Sequence, residues 1–291
     1  MSAWLPILGF VVGWSMNYSS WAERFKQGCA TTLAWFFIPF IIIYQMLNYQ
    51  AGSLMFMLVS FFTAVMVYAV FSLIFKDTLI ALCASYVNIG WLGFPLALLI
   101  FGQDVSAMMI ALYIGSSIFG NIYAVRAVST EKLNILATLN KLRRTPAMMA
   151  LMLGVFLHEL GIQHRVQLSY ITEFESWVKV GMVLTGMAVL GTWLGQTKVT
   201  WHDLKTSISM MSIKLVLASS ICLIISWTSF AVFKAHLTLW FFLFCLPPAA
   251  NIVALETHYQ GTGKSAHYIA AGTITSLITI MLFAIVLQVL N

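Results

Sequence analysis

The sequence predicts an all-α polytopic membrane protein of ten transmembrane helices, built as two inverted five-helix repeats whose fourth and ninth helices are broken. Three observations predict it. First, the chain of 291 residues is 61% hydrophobic and only 8% charged, against about 25% charged residues in an ordinary soluble domain. Such a chain has no polar skin for a soluble enzyme, and its 21 Phe and 10 Trp are foreign to disordered chains. Second, basic residues alternate from loop to loop. Third, helix-breaking residues interrupt corresponding apolar segments in the two halves.

Ten apolar segments separate in order: 3–16, 29–47, 53–75, 78–102, 105–127, 146–161, 177–196, 206–233, 237–259 and 266–290. At roughly 20 apolar residues per span, the length leaves no room for a soluble domain. The opening MSAWLPILGF has no basic n-region and no small-residue cleavage site after it, so it reads as a first span and not as a signal peptide.

The lysines and arginines test the count. Odd-numbered loops hold Arg24, Lys26, Lys76, Arg126, Lys132, Lys141, Arg143, Arg144, Lys198, Lys205 and Lys264, eleven of the 15 basic residues. Even-numbered loops and the termini hold Arg165, Lys179 and Lys234, and Lys214 falls inside the eighth span. Eleven against three places the odd loops in the cytoplasm and both termini outside it. A miscounted span would scramble this asymmetry.

The longest polar stretch lies between the fifth and sixth spans and divides the chain into a first repeat (1–127), a cytoplasmic linker (128–145) and a second repeat (146–291). Five is odd, so the second repeat must enter the membrane upside down relative to the first. Weak internal similarity agrees. The first and sixth spans are both short and open on a proline, Pro6 running to Gly13 and Pro146 running to Gly154.

The fourth span contains Asn88-Ile-Gly90-Trp-Leu-Gly93-Phe-Pro95 and the ninth contains Leu246-Pro247-Pro248-Ala-Ala-Asn251. Proline removes a backbone donor and clashes with the preceding turn. In hydrocarbon each group left unsatisfied costs several kcal/mol, so broken helices survive only where protein or a wet cavity satisfies them. Paired breaks in the two halves of an inverted repeat point to a binding site at mid-membrane. Each break also leaves a half-helix N-terminus, expected near Pro95 and near Ala249, carrying about half a positive charge. Two such ends, with the Asn88 and Asn251 amides, can bind an anion, and Gly90 and Gly93 let backbone come close to it. Pro95, Pro247 and Pro248 keep the helices broken.

At these residues the sequence resembles the auxin efflux carrier family, which includes plant auxin exporters and bacterial malate- and malonate-type permeases. The resemblance is carried by Asn88 to Leu96 with Phe101-Gly102, and by Leu246 to Asn251 running to Tyr259. A last helix with Thr273, Thr275, Ser276 and Thr279 adds to it. The family resemblance implies the fold shared with the bile acid:sodium symporters. There, spans 1, 2, 6 and 7 form a scaffold, and spans 3–5 and 8–10 form a transport core in which the broken helices cross. It further implies elevator-like secondary transport of small organic anions, and a homodimer formed through the scaffold. Asn88 and Pro95 match the family's first crossover and Pro247-Pro248 its second, while Asn251 falls where members vary. Only about 17 residues join the halves, without the long central loop of the plant members, which favours the bacterial type.

Other polar residues receive plainer readings. Glu256, on the half-helix leaving the second break, and His258 are candidates for proton or cation coupling. Lys214 and Lys179 are read as snorkelling from span ends. His158, Glu159 and His164 lack a metal-ligand spacing, so no metal is expected. Gly115, Ser116, Ser117 and Gly120 read as a small packing face. Cys29, Cys83, Cys222 and Cys245 stand singly and read as small apolar packing residues. No nucleotide-binding loop and no catalytic constellation occurs. The expectation is therefore not an enzyme but a carrier without cofactor, driven by an H+, Na+ or substrate gradient. It would export or exchange small carboxylate anions across a bacterial inner membrane, in contact with lipid and not with nucleic acid. The alternatives are a sodium-coupled uptake carrier for amphipathic anions and a non-transporting membrane sensor or assembly component.

Overall fold

A computed structural model describes residues 4–47, 52–128, 143–144, 146–162, 169–196, 198–227, 231–250, 252–253, 256 and 264–290. Within them the regular elements are helices, and one isolated antiparallel bridge pairs Val87 with Pro248. Among the described residues five helices are long and apolar enough to cross a membrane: Ala22–Tyr44, Leu54–Phe75, Ile171–Gln196, Trp201–Trp227 and Lys264–Val289. Shorter apolar helices cover Ile7–Met16, Ile89–Phe101 and Met148–Glu159. Large apolar side chains such as Leu73, Val216, Ile224 and Val289 stay exposed along these helices, as a lipid-facing surface requires and a water-facing one does not.

Several helices begin before the apolar segments do. The second opens at Ala22, the seventh at Ser169 and the eighth at Trp201. Hydropathy sees only the apolar stretch, but each backbone continues into polar turns whose charges are met locally. Lys26 pairs with Glu23 at 2.6 Å. Lys179 pairs with Glu175 at 2.7 Å, and both side chains are largely buried. Lys179 is thus held by an i,i+4 carboxylate inside its helix and does not snorkel.

The chain forms two compact units. The first comprises the described residues of Met1–Phe61, Gly90–Ile122 and Lys132–Gln196. Its helices are α1 (Trp4–Met16), α2 (Ala22–Thr32), α3 (Ile38–Leu47), the start of α4 (Ser53–Phe75), α6 (Phe94–Phe101), most of α7 (Ser106–Val128), α8 (Pro146–Glu159) and α9 (Ser169–Gln196). α1 lies on α9 through small residues. A Cβ on Gly9 would stand 2.6 Å from Leu184 O, and Cβ atoms on Gly13 and Gly191 would strike the Ala188 and Phe10 carbonyls. Thr192 Oγ1 seals the contact by donating to Gly13 O at 2.9 Å. Close backbone approach of this kind replaces the hydrophobic drive that lipid does not provide. α3 packs on α8, where Gly154 faces Met46 and His158 Nδ1 lies 3.2 Å from Leu47 O. His158 therefore lies inside a helix contact.

Two prolines in this unit share one local solution. A five-residue π-helical turn, Leu33–Phe37, precedes Ile38-Pro39, and a second, Ile89–Gly93, precedes Phe94-Pro95. A proline ring clashes with the carbonyl four residues back, which is Trp35 in one case and Trp91 in the other. The wider π turn opens the backbone at that carbonyl, so the helix passes through both prolines.

The second unit comprises the described residues of Phe62–Ile89, Tyr123–Glu131 and Thr197–Asn291. It holds the rest of α4 and α7, α5 (Thr78–Ser85), α10 (Trp201–Trp227), the short α11 (Ala231–Lys234), α12 (Leu237–Cys245) and α13 (Lys264–Leu290). α10 packs on α12 and α13, and α5 lies against both α10 and α13. Asp77 starts α5, its Oδ1 accepting from the N–H groups of Leu79 at 2.8 Å and Ile80 at 3.1 Å. Thr78 Oγ1 donates to Ala127 O at 2.8 Å, tying the start of α5 to the end of α7. α5 is buried along almost its whole length, so its next seven residues lead directly into the interior.

Candidate functional site in the second unit

α5 and α12 both stop in the interior. α5 ends at Ser85, and Tyr86 turns extended at φ −92°, ψ 93°. α12 ends at Cys245, and Leu246 turns extended at φ −69°, ψ 147°. The two extended stretches cross as an antiparallel pair. The Asn88 N–H donates to Pro247 O and the Ala249 N–H donates to Tyr86 O, each at 2.8 Å. The breaks are thus satisfied by one another, which is how interrupted backbone survives away from water.

Proline explains the second stretch, since neither Pro247 nor Pro248 can donate to a helix. Gly272 of α13 makes room for it, because a Cβ there would lie 2.6 Å from Pro248 Cδ. The first stretch has no proline of its own. Its break falls at Tyr86–Asn88 and not at Pro95, where the sequence led us to expect the new helix start. The helix restarts at Ile89 as the π turn, and Pro95 merely occupies the first turn of α6. Pairing with 247–249 ends α5, a long-range cause that no local residue announces.

Of the residues singled out from the sequence, Asn88, Pro247 and Pro248 come together here. Asn88 is 6% exposed, and its main-chain N–H makes a bond of the crossing. Gly90, Gly93 and Pro95 belong to the first unit. There Gly90 meets a neighbour already, since a Cβ on it would lie 2.8 Å from the Tyr113 ring. Glu256 is fully buried and accepts from Ser265 Oγ at 2.9 Å, beside the first turn of α13. Asn251 and His258 lie outside the described residues. His267, which borders the same turn, sits 3.3 Å from Asp203 Oδ2, and Asp203 also accepts from Thr200 Oγ1 at 2.6 Å.

Sequence reasoning also misread Lys214. It does not snorkel from the end of its span: it lies well inside α10, 4% exposed, and its Nζ donates to Leu246 O at 2.7 Å. A signal was present. Asp203, Ser207, Met210, Met211, Lys214 and Ala218 are the buried residues of α10. Their spacing of three and four marks one helical face, so Lys214 shares its direction with two further polar residues and not with the lipid-facing side. A small space of about 10 Å³ adjoins the ammonium, lined by Ser207, Tyr268, Thr275 and Ser276 among others. It has room for about one water molecule.

The arrangement offers two short helices pointing their C-terminal ends at one crossing, a buried cation on that crossing, and hydroxyls around it. No protein-family model matches the chain, and no curated protein matches it either.

Proposed function

We propose that the chain is a secondary carrier for small organic anions, of the auxin efflux carrier type, working in a bacterial inner membrane. The observation that carries this reading is the antiparallel crossing of Tyr86–Asn88 with Pro247–Ala249. A purely structural helix bundle gains nothing from ending two apolar helices inside itself. Carriers use such crossings to bring polar main chain to mid-membrane, where a solute can meet it. In this reading ten spans form two inverted repeats, both termini lie outside the cytoplasm, and the crossing rides on a core that moves against a scaffold. Asn88 and the chain around Ile89 and Ala249 meet the carboxylate, with Asn251 completing the site and Glu256 and His258 serving ion coupling. The carrier works as a homodimer.

The test is uptake of labelled mono- and dicarboxylates by proteoliposomes holding the purified chain, at two pH values, in sodium and in choline. Saturable flux of at least one acid, lost in Asn88→Ala while the protein still inserts and stays monodisperse, is the expected result. Flux at the level of empty liposomes across the whole panel would overturn the reading.

A further inference from the structure

Pro247 and Pro248 leave the crossing short of donors. From Leu246 to Ala249 the chain has four carbonyls but only two N–H groups. One of these, on Leu246, donates to Leu243 O, and the other, on Ala249, donates to Tyr86 O. Asn88 supplies a donor to Pro247 O across the crossing. Leu246 O takes its donor from a side chain, the Lys214 ammonium. The position is also electrostatically negative, since α5 and α12 both end here and each C-terminus carries up to about half a negative charge.

The ammonium donates to an uncharged oxygen, and hydroxyls line the space beside it. Leu246 O is 2.7 Å away. Ser207 and Thr275, which line the adjoining space, hydrogen-bond each other at 2.7 Å. The Ser276 hydroxyl lines the same space, is fully buried, and has no partner among the described residues. No described carboxylate lies within ion-pair distance of Lys214. Carbonyls and hydroxyls gathered at helix C-termini are the ligand set of a hard monovalent cation. A lysine left there without a counter-ion would otherwise be a heavy cost.

We propose that the Lys214 ammonium is the resident cation of the crossing, holding on a side chain the place that sodium holds in a metal-coupled carrier. The proposal deepens the carrier reading and rests on it for the word "coupled", while the site itself can be tested without transport. The crossing in this protein therefore needs no metal ion to close, and flux is independent of sodium.

The test is thermal unfolding of the purified full chain in detergent, comparing choline chloride with equal concentrations of sodium chloride or methylammonium chloride. Wild type is expected to melt at one temperature in all three. K214A, which vacates the ammonium position, is expected to gain about 3 °C or more in sodium or methylammonium, the shift from a ligand at roughly ten times its dissociation constant in a protein this long. K214M, which fills the space with an apolar chain, is expected to show no such gain. Should K214A fold poorly, its yield of monodisperse protein in the same salts gives the same readout. A wild type stabilised by sodium, or a K214A that neither cation stabilises or recovers, overturns the proposal. In proteoliposomes, sodium-dependent wild-type flux would overturn it too. Absence of any flux would sink the carrier reading and leave the melting result standing.

Discussion

At Asn88 the main chain and the side chain can be tested apart. Its N–H holds the crossing, and any residue but proline supplies that, so a side-chain change tests the proposed solute role apart from the main-chain bond. Asn88→Ala should keep the fold and lower flux at least about tenfold, the cost of removing one charge-assisted hydrogen bond. Asn88→Pro should lose the N–H and the crossing with it, seen as a lower melting temperature and poor recovery of folded protein. Similar folding for the two variants would show that the main-chain bond is dispensable. Gly272 makes the complementary point about space. Gly272→Val would push carbon into the Pro248 ring and should destabilise by about 1–3 kcal/mol through overpacking, read from thermal unfolding in detergent.

At the scale of elements, α5 depends on its two ends. Asp77 caps it by accepting from two N–H groups, and Asp77→Ala should cost about 0.5–2 kcal/mol, while Asp77→Asn should recover most of the loss. An Asp77→Ala protein that melts like wild type would mean that burial alone holds α5. The α1–α9 contact depends on glycine for a different reason. Gly13→Leu would hold the two backbones apart at Ala188 and remove the geometry of the Thr192 bond to Gly13 O. It should lower the melting temperature, whereas Leu8→Ala, at an exposed position on the same helix, should change it little.

At the scale of the molecule, charge gives the prediction. Basic residues cluster in alternate loops, so a cysteine added at either terminus of a cysteine-free variant should react with a membrane-impermeant maleimide in intact cells. One placed beside Arg143 should react only after lysis. Labelling of the Arg143 site from outside would reverse the orientation, and a split result at the termini would make the number of spans odd. The four native cysteines are all free, which makes their replacement straightforward.

Hydropathy and composition were enough to read helices and membrane partition from the chain, because both follow from local side-chain chemistry. The same chemistry made Pro247-Pro248 visible as a break. The true end of α5 was invisible, because Tyr86 and Val87 are ordinary strand or helix residues whose conformation is set by partners about 160 residues away through hydrogen bonds formed only on folding. Pro95 misled for the converse reason: a breaker by its own chemistry, it was accommodated by the π turn before it. Lys214 is the sharpest case. Its charge argued for a place near water, and its helical face argued for the interior. The donor shortage at Pro247-Pro248 settled the contest in favour of burial, and only the folded chain brings Lys214 of α10 to it.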